Sequence, residues 1–274
     1  MNWTLAAVQM DCTLAEPRKN LAAVIERLRI AANAGAKLVV FPECIITGYG
    51  YADKASALKI AETVPGPMTD TLANECAALN VFAAVGHLER DGDKLFNACA
   101  LVGPQGLVSN YRKIHLPCLG IDRFVTPGDR PFEVHDLDGV KVGIGICFDN
   151  SFPESVRIMT LMGADIVLQP TNWVPKAIKN ATLVARVRAF ENHIFYCAVN
   201  RVGDESGHHY CGYSSIVDPL GDFLAFAEHD REEILYATFD PTTARNKHIV
   251  HCAGEYELDR VNWRRPEMYG RLVN

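Results

Sequence analysis

The chain has 274 residues, 49% of them hydrophobic, which is enough for one well-buried core. Its formal net charge is −6 and no lysine–arginine cluster stands out, which argues against a polyanion-binding surface such as one for nucleic acid. No apolar run approaches the roughly 18 residues needed to cross a bilayer, and the start, MNWTLAAVQMDC, lacks the basic and apolar regions of a secretion signal.

The elements are expected in the following order. WTLAAVQ (3–9) is a first strand. A helix follows from about Glu16 to Ala34, with Pro17 in its first turn, Leu21, Val24, Ile25 and Leu28 on one face, and Gly35 as its cap. KLVVF is a short buried strand stopped by Pro42. A second helix covers roughly 67–80, and VFAAVGHL is a strand. FNACALVG and LVSNYRK pair through the turn GPQG. A long loop runs from about 113 to 131. FEVHDL and VKVGIGIC pair around Asp138-Gly139, and a helix starts near Ser151–Pro153. DIVLQP is a strand, 176–192 a helix, and IFYCAVN a strand. SSIVDPLGDFLAF is a hairpin turned at Pro219-Leu220-Gly221-Asp222, and ILYATFD closes the strands. From about 241 a short helix and an irregular tail are expected. With no repeat and no Pro/Gly/Ser linker, residues 1–274 read as one domain. The alternation of helices with strands and hairpins indicates a mixed sheet or two sheets with helices outside, and periodicity does not choose between them.

The chain contains 9 cysteines, an odd number without a CxxC pair. Cys99 in FNACALV and Cys197 in IFYCAVN read as small core hydrophobes. Reduced thiols suit the cytoplasm, which is the expected location. Cys147 is different. In VGIGICFDNSFPE it follows a buried strand and precedes a helix start, so a turn there exposes the thiol at the strand's carboxyl end. Backbone N–H groups of such a turn can hold an anion, and the helix dipole is expected to lower the thiol pKa. Glu43, in LVVFPECIITGYG, also directly follows an apolar strand, and desolvation there suits it to general-base work. Lys113, in SNYRKIHLP, lies just past another strand and can stabilise an oxyanion. Arg112 beside it reads as an ordinary solvated residue. His115 and the other histidines sit in no context that defines a Cys–His pair. No metal-ligand spacing is present, so no metal site is assigned.

FPE with TGY, then YRKIHLP, then GICFD..FPE, in this order, resemble the three signature blocks of the nitrilase (carbon–nitrogen hydrolase) superfamily. AAVQM, PGP, FNACALVGPQG, TPGD, NRVG and RRPEMYG look like further landmarks, so the resemblance spans nearly the whole chain. It implies a four-layer α-β-β-α sandwich and a Glu43–Lys113–Cys147 triad with no metal or organic cofactor. Lys113 and the backbone N–H of Phe148 would form the oxyanion hole. It also implies dimers made by packing helical faces, often with a crossing tail, hence a homodimer or higher homo-oligomer. One departure stands out. Many members carry a second glutamate a few residues before the PG, whereas CLGIDRFVTPGD has none. Asp122 is the nearest replacement as a fourth catalytic residue, against the alternative that it pairs with Arg123 or Arg130 at the surface.

Cys-Phe-Asp looks more like amidases and carbamoyl-amine hydrolases than like the Cys-Trp-Glu of nitrilases. A small aliphatic amide is therefore the expected substrate, with ammonia or an amine released. An N-carbamoyl-amine hydrolase, a nitrilase, an amido-transferase and a non-catalytic binding member of the fold are the alternatives. Substrate-selecting loops are placed at Tyr49, at 118–126 and at Asn172 and Trp173. Asp122 and Asp149 are expected to favour cationic or neutral substrates over anionic ones.

Overall fold

The computed structural model describes residues 2–272. The first half of the chain comprises β1 (Trp3–Gln9), α1 (Pro17–Asn33), β2 (Leu38–Val40), α2 (Lys54–Leu58), α3 (Pro67–Leu79), β3 (Phe82–Asp91), β4 (Lys94–Gly103) and β5 (Gly106–Arg112). The second half begins with β6 (Val134–Leu137), β7 (Val140–Ile144), α4 (Pro153–Leu161), β8 (Ile166–Thr171), α5 (Ala185–Asn192) and β9 (Phe195–Asn200). It continues with β10 (Asp204–Glu205), β11 (His208–His209), β12 (Ser215–Val217), β13 (Phe223–Phe226) and β14 (Glu233–Phe239). It ends with α6 (Thr242–Arg245), β15 (Ile249–Cys252) and β16 (Tyr256–Leu258).

Two six-stranded sheets form, ordered β14-β1-β2-β3-β4-β5 and β13-β12-β9-β8-β7-β6. Side chains alternate across each strand, so one strand serves two layers. In β1, Leu5 and Ala7 join the cluster that also holds Val142, Ile144 and Leu168 of the other sheet. Ala6 and Val8 face the opposite way, toward Val24 and Leu28 of α1 and Leu72 and Cys76 of α3. Val156 and Met159 of α4 and Ala185 and Ala189 of α5 cover the second sheet. The inner strands are thus buried on both faces, which is why LVV and IVL read as continuous apolar runs rather than alternating ones. The result is the four-layer α-β-β-α sandwich.

Several boundaries differ from the sequence expectation. β7 stops at Ile144, three residues before Cys147, and a one-turn 3-10 helix (Cys147–Ser151) separates it from α4. The expected 176–192 helix is divided into 3-10, π and α segments. The tail is not irregular throughout: β15 and β16 pair as a hairpin, and β10 with β11 form another that periodicity did not reveal. Two-residue strands and a register-shifted hairpin leave too few alternations for a period to register. Among the described residues no helix is long and apolar enough to cross a membrane.

Candidate active site

Both sheets present strand ends at one edge, and the three residues singled out by the sequence meet there. Lys113 extends β5 by one position. Its N–H donates to the Asn97 carbonyl at 2.8 Å, and its own carbonyl accepts from Gly128 at 2.8 Å. Asn97 is therefore its cross-strand neighbour, and Arg112 points to the other side. Glu43 follows β2, and its chain crosses close over β3: a Cβ on Gly86 would lie 2.3 Å from the Pro42 carbonyl oxygen, so only glycine fits beneath it. Cys44, next to Glu43, has a positive φ of 48°, and Cys147 one of 44°. Such backbone in non-glycine residues costs about 1–3 kcal/mol and persists only where the surroundings hold it.

Lys113 is fully buried and stands between two carboxylates. Its Nζ is 2.7 Å from Glu43 Oε1 and 2.5 Å from Asp122 Oδ2. Asn97 Nδ2 bridges the same two groups, at 2.7 Å to Glu43 Oε1 and 2.8 Å to Asp122 Oδ1. Tyr49 donates its hydroxyl to Asp122 Oδ2 at 2.8 Å. Asp122 thus accepts from three donors and does not pair with Arg123, whose Nε donates to the Gly120 carbonyl instead. Both oxygens being engaged by protein, Asp122 is not free to attract a cationic substrate. In contrast, Glu43 Oε1 takes both donors, and Oε2, although buried, has no partner among the described residues.

The electrostatics follow from this burial. Desolvation raises the Glu43 pKa above its ordinary 4.5, opposed by the Lys113 charge and hydrogen bond. For Lys113 desolvation works downward, but the Asp122 and Glu43 charges dominate and hold it well above 10.5, so it is an ammonium. Cys147 departs from expectation. Burial and the Glu43 charge raise its thiol pKa well above 9.0, and Lys113 and the Asn172 backbone N–H only partly offset them. A dipole from one 3-10 turn does not overcome desolvation at 8% exposure. The Cys147 side chain is thus held as a thiol rather than a thiolate.

Asp149 has a different place from the substrate-facing one expected. It is fully buried and anchors the elbow: its Oδ2 accepts from Ile146 N at 2.9 Å and from the Tyr111 hydroxyl at 2.7 Å, and its Oδ1 from His115 N at 3.1 Å. His115 Nδ1 lies 2.7 Å from Asp149 Oδ1 and its ring stacks on Phe152 at 3.8 Å, so it belongs to the elbow's support rather than to a Cys–His pair. Gln169 Nε2 holds the Cys147 carbonyl at 3.0 Å. Phe148 occupies the second position of the 3-10 turn, where a backbone N–H has no acceptor within the turn. Arg112 is not solvated: it is 3% exposed and bound to Glu89, Asp91 and Asp129.

Of the substrate-loop residues, Tyr49 is buried with its hydroxyl between Asp122 Oδ2 and the Leu119 carbonyl, at 2.8 and 3.0 Å. Trp173 is buried and its backbone is clamped by the Asn200 side chain. Asn172 is 1% exposed, its backbone N–H faces the Cys147 sulfur, and neither amide atom has a partner among the described residues. The Tyr210 hydroxyl is likewise buried and unpartnered, and Glu43 lies within Coulombic reach of it. Asn97 and Tyr210 escaped the sequence reading. The available signal for Asn97 was a lone amide inside the apolar run FNACALV, which must find a partner when buried. Among the described residues no group of three or more His, Cys, Asp or Glu side chains is placed to hold a metal ion.

Residues 4–248 match the family model described as carbon-nitrogen hydrolase. The chain is 38% identical over 246 residues to a nitrilase of Pyrococcus abyssi, covering 89% of this chain and 92% of that one. It is 31% identical to a citrullinase of Francisella tularensis over 99% of this chain and 98% of that one. An omega-amidase of Homo sapiens is 30% identical, over 87% of this chain and 89% of its own. Among solved structures, an amidase from Nesterenkonia sp. superposes with a TM-score of 0.82 at 20% identity, over 99% of this chain and 96% of that chain, which is a likeness of fold. The chain belongs to the carbon–nitrogen hydrolase family, within the nitrilase superfamily.

Proposed function

We propose that this protein hydrolyses the C–N bond of a small aliphatic amide through a thioester on Cys147. The observation that carries this reading is the asymmetry of Glu43: Oε1 is pinned by Lys113 and Asn97 while Oε2 is buried and unpartnered, in a site whose thiol is protonated at rest. Oε2 takes the thiol proton as sulfur attacks the amide carbon. The oxyanion that forms is met by the Lys113 ammonium and the Phe148 N–H. Glu43 then passes its proton to the departing nitrogen, and ammonia or an amine leaves. Glu43 next deprotonates a water, which attacks the thioester carbon. Collapse of that intermediate releases the carboxylic acid and returns the proton to sulfur. Asp122 takes the place of the family's second glutamate by orienting Lys113. The unpartnered Asn172 amide and Tyr210 hydroxyl bind the polar part of the substrate, and Tyr49 and Trp173 wall the pocket.

Support for a reactive cysteine also comes from a glutamate-to-glutamine mutant of the Nesterenkonia amidase, which shows covalent addition of the acetamide moiety of fluoroacetamide at its active-site cysteine. The relatives are named nitrilase, citrullinase and omega-amidase, so the test is ammonia release from matched sets of small amides, carbamoyl compounds and nitriles. Turnover of nitriles alone would refute the amide reading. Incubation with iodoacetamide at neutral pH should alkylate Cys147, assisted by Glu43, faster than the exposed Cys118 and Cys252, and Cys147→Ala should abolish that fast phase alone. A protein with no fast thiol and no ammonia release would be a binding member of the fold.

A second copy of the chain is proposed to cover the helical face of the second sheet. Ile158, Leu161 and Met162 at α4, with Leu183, Val187 and Phe190 at α5, are exposed there, and Trp263 and Met268 of the tail are exposed as well. Sedimentation at micromolar concentration should show a dimer or larger, and a monomer would refute this.

A further inference from the structure

We propose that Arg201, Glu205 and Tyr49 form a positioning relay that holds Asp122, and through it the Lys113 ammonium, in register with Cys147; this rests on the roles given to Lys113 and Asp122 above. The relay starts at Arg201, the largest fully buried side chain of the protein. Its Nε and Nη2 donate to Asp11 Oδ1 at 2.9 and 2.8 Å, and Nη2 also donates to the Cys12 carbonyl at 2.8 Å. Its Nη1 donates to Glu205 Oε1 at 2.7 Å. The other oxygen of Glu205 accepts two consecutive backbone N–H groups, from Tyr49 at 2.8 Å and Gly50 at 2.5 Å. Tyr49 completes the path with its hydroxyl on Asp122 Oδ2.

Two features separate this arrangement from a merely stabilising ion pair. Glu205 is bound on one side by a guanidinium that is itself fixed by three further hydrogen bonds, so its other oxygen is a rigid acceptor. That acceptor holds a segment, residues 49–50, that belongs to no helix or strand. Without it, two backbone donors would be left unpaired in a buried loop. The same segment is locked to the 119–123 loop from the far side. Ile121 N donates to the Tyr49 carbonyl at 2.8 Å, and a Cβ on Gly120, whose φ is +48°, would come within 2.1 Å of the Tyr49 ring. The Tyr49 ring is therefore confined, and its hydroxyl, which also lies 3.0 Å from the Leu119 carbonyl, joins Lys113 and Asn97 in holding the Asp122 carboxylate. Neither Arg201 nor Glu205 touches the catalytic triad through any hydrogen bond among the described residues. Both act through Tyr49. A shift of the order of 1 Å in a group that must meet a developing oxyanion can cost about 10²-fold in rate.

The test is a kinetic double-mutant cycle on the full chain, using the amide that turns over fastest. Tyr49→Phe should lower kcat roughly tenfold with KM within about twofold and little change in Tm, because only the hydroxyl is lost. Glu205→Gln, or Glu205→Asp where the first does not fold, should lower kcat in the same sense, and unchanged kcat in the folded variant would overturn the relay. In an Asp122→Asn background the Tyr49→Phe effect should largely vanish, since both changes act on the same link. An undiminished tenfold loss in that background would overturn the relay while leaving the role of Asp122 intact. A rise in KM at constant kcat would overturn it too, and would make Tyr49 a substrate contact. Unchanged turnover in Asp122→Asn alone would overturn both the relay and the reading of Asp122 on which it rests.

Discussion

Arg112 and Lys113 are adjacent in sequence and both buried, yet they serve opposite ends. Successive residues of a strand point to opposite faces, so Arg112 and Lys113 enter different surroundings. Arg112 meets Glu89 through two hydrogen bonds of 2.8 and 2.6 Å, with Asp91 and Asp129 completing its fork. Those hydrogen bonds, Glu89 first, raise its pKa further. Glu89 is in turn satisfied by Asn110 at 2.7 Å. Lys113 meets Glu43 and Asp122, and there Glu43 Oε2 stays unpartnered. A saturated cluster suits holding the fold. A cluster with one open acceptor beside a protonated thiol suits moving a proton.

The contrast can be broken from its catalytic side first. Cys147→Ala and Cys147→Ser should abolish ammonia release with the circular dichroism spectrum and Tm retained. Comparable losses from Cys99 or Cys197 substitutions, whose thiols are buried in strand interiors, should instead appear as lowered Tm. Glu43→Gln should lower kcat by about 10²–10⁴, the range of general-base loss. Asp122→Asn should lower it by roughly 10² without much loss of stability.

On the structural side, Glu89→Gln leaves Arg112 short of its principal partner and should cost about 3 kcal/mol in chemical denaturation, with kcat nearly unchanged. A large drop in kcat at normal stability would mean that the two clusters are not separable.

The pH dependence sharpens the same distinction. Because burial raises the Glu43 pKa above 4.5, the acid limb of kcat/KM should fall at a pH above the ordinary carboxylate range, and Glu43→Gln should remove that limb. The smallest effect concerns a third cation. Lys247 donates to the His193 and Asn192 carbonyls at 2.8 and 3.3 Å and, among the described residues, has no carboxylate within hydrogen-bond reach. Burial lowers its pKa to about 8 from 10.5. Across that interval the folded state binds fewer protons than the unfolded one, so stability should rise slightly as pH climbs from about 8 to 10.5. Lys247→Met should flatten that part of the curve.

Local patterns determined much of this protein. Runs such as WTLAAVQ, LVV and IVLQ declare strands by apolar content, and Pro17 and Pro67 open helices because a fixed φ and a missing N–H cost nothing in a first turn. The ordered blocks around Glu43, Lys113 and Cys147 marked the family and the residues now found at one sheet edge. What a linear reading could not contain are quantities that depend on which side chain meets which across the fold. Arg112 reads as solvated until Glu89, 23 residues away, is seen to bind it. The Cys147 thiol reads as acidified until burial and Glu43, far off in sequence, are placed against it. Asp149 reads as a substrate contact until the elbow folds back onto it. Asp122 and Tyr49 meet across 73 positions. Propensity and periodicity arise within a few residues, whereas desolvation and ion pairing arise between segments that only packing brings together, so the tertiary structure alone decided the direction in which the Cys147 thiol pKa moves and the different partners of two neighbouring cations.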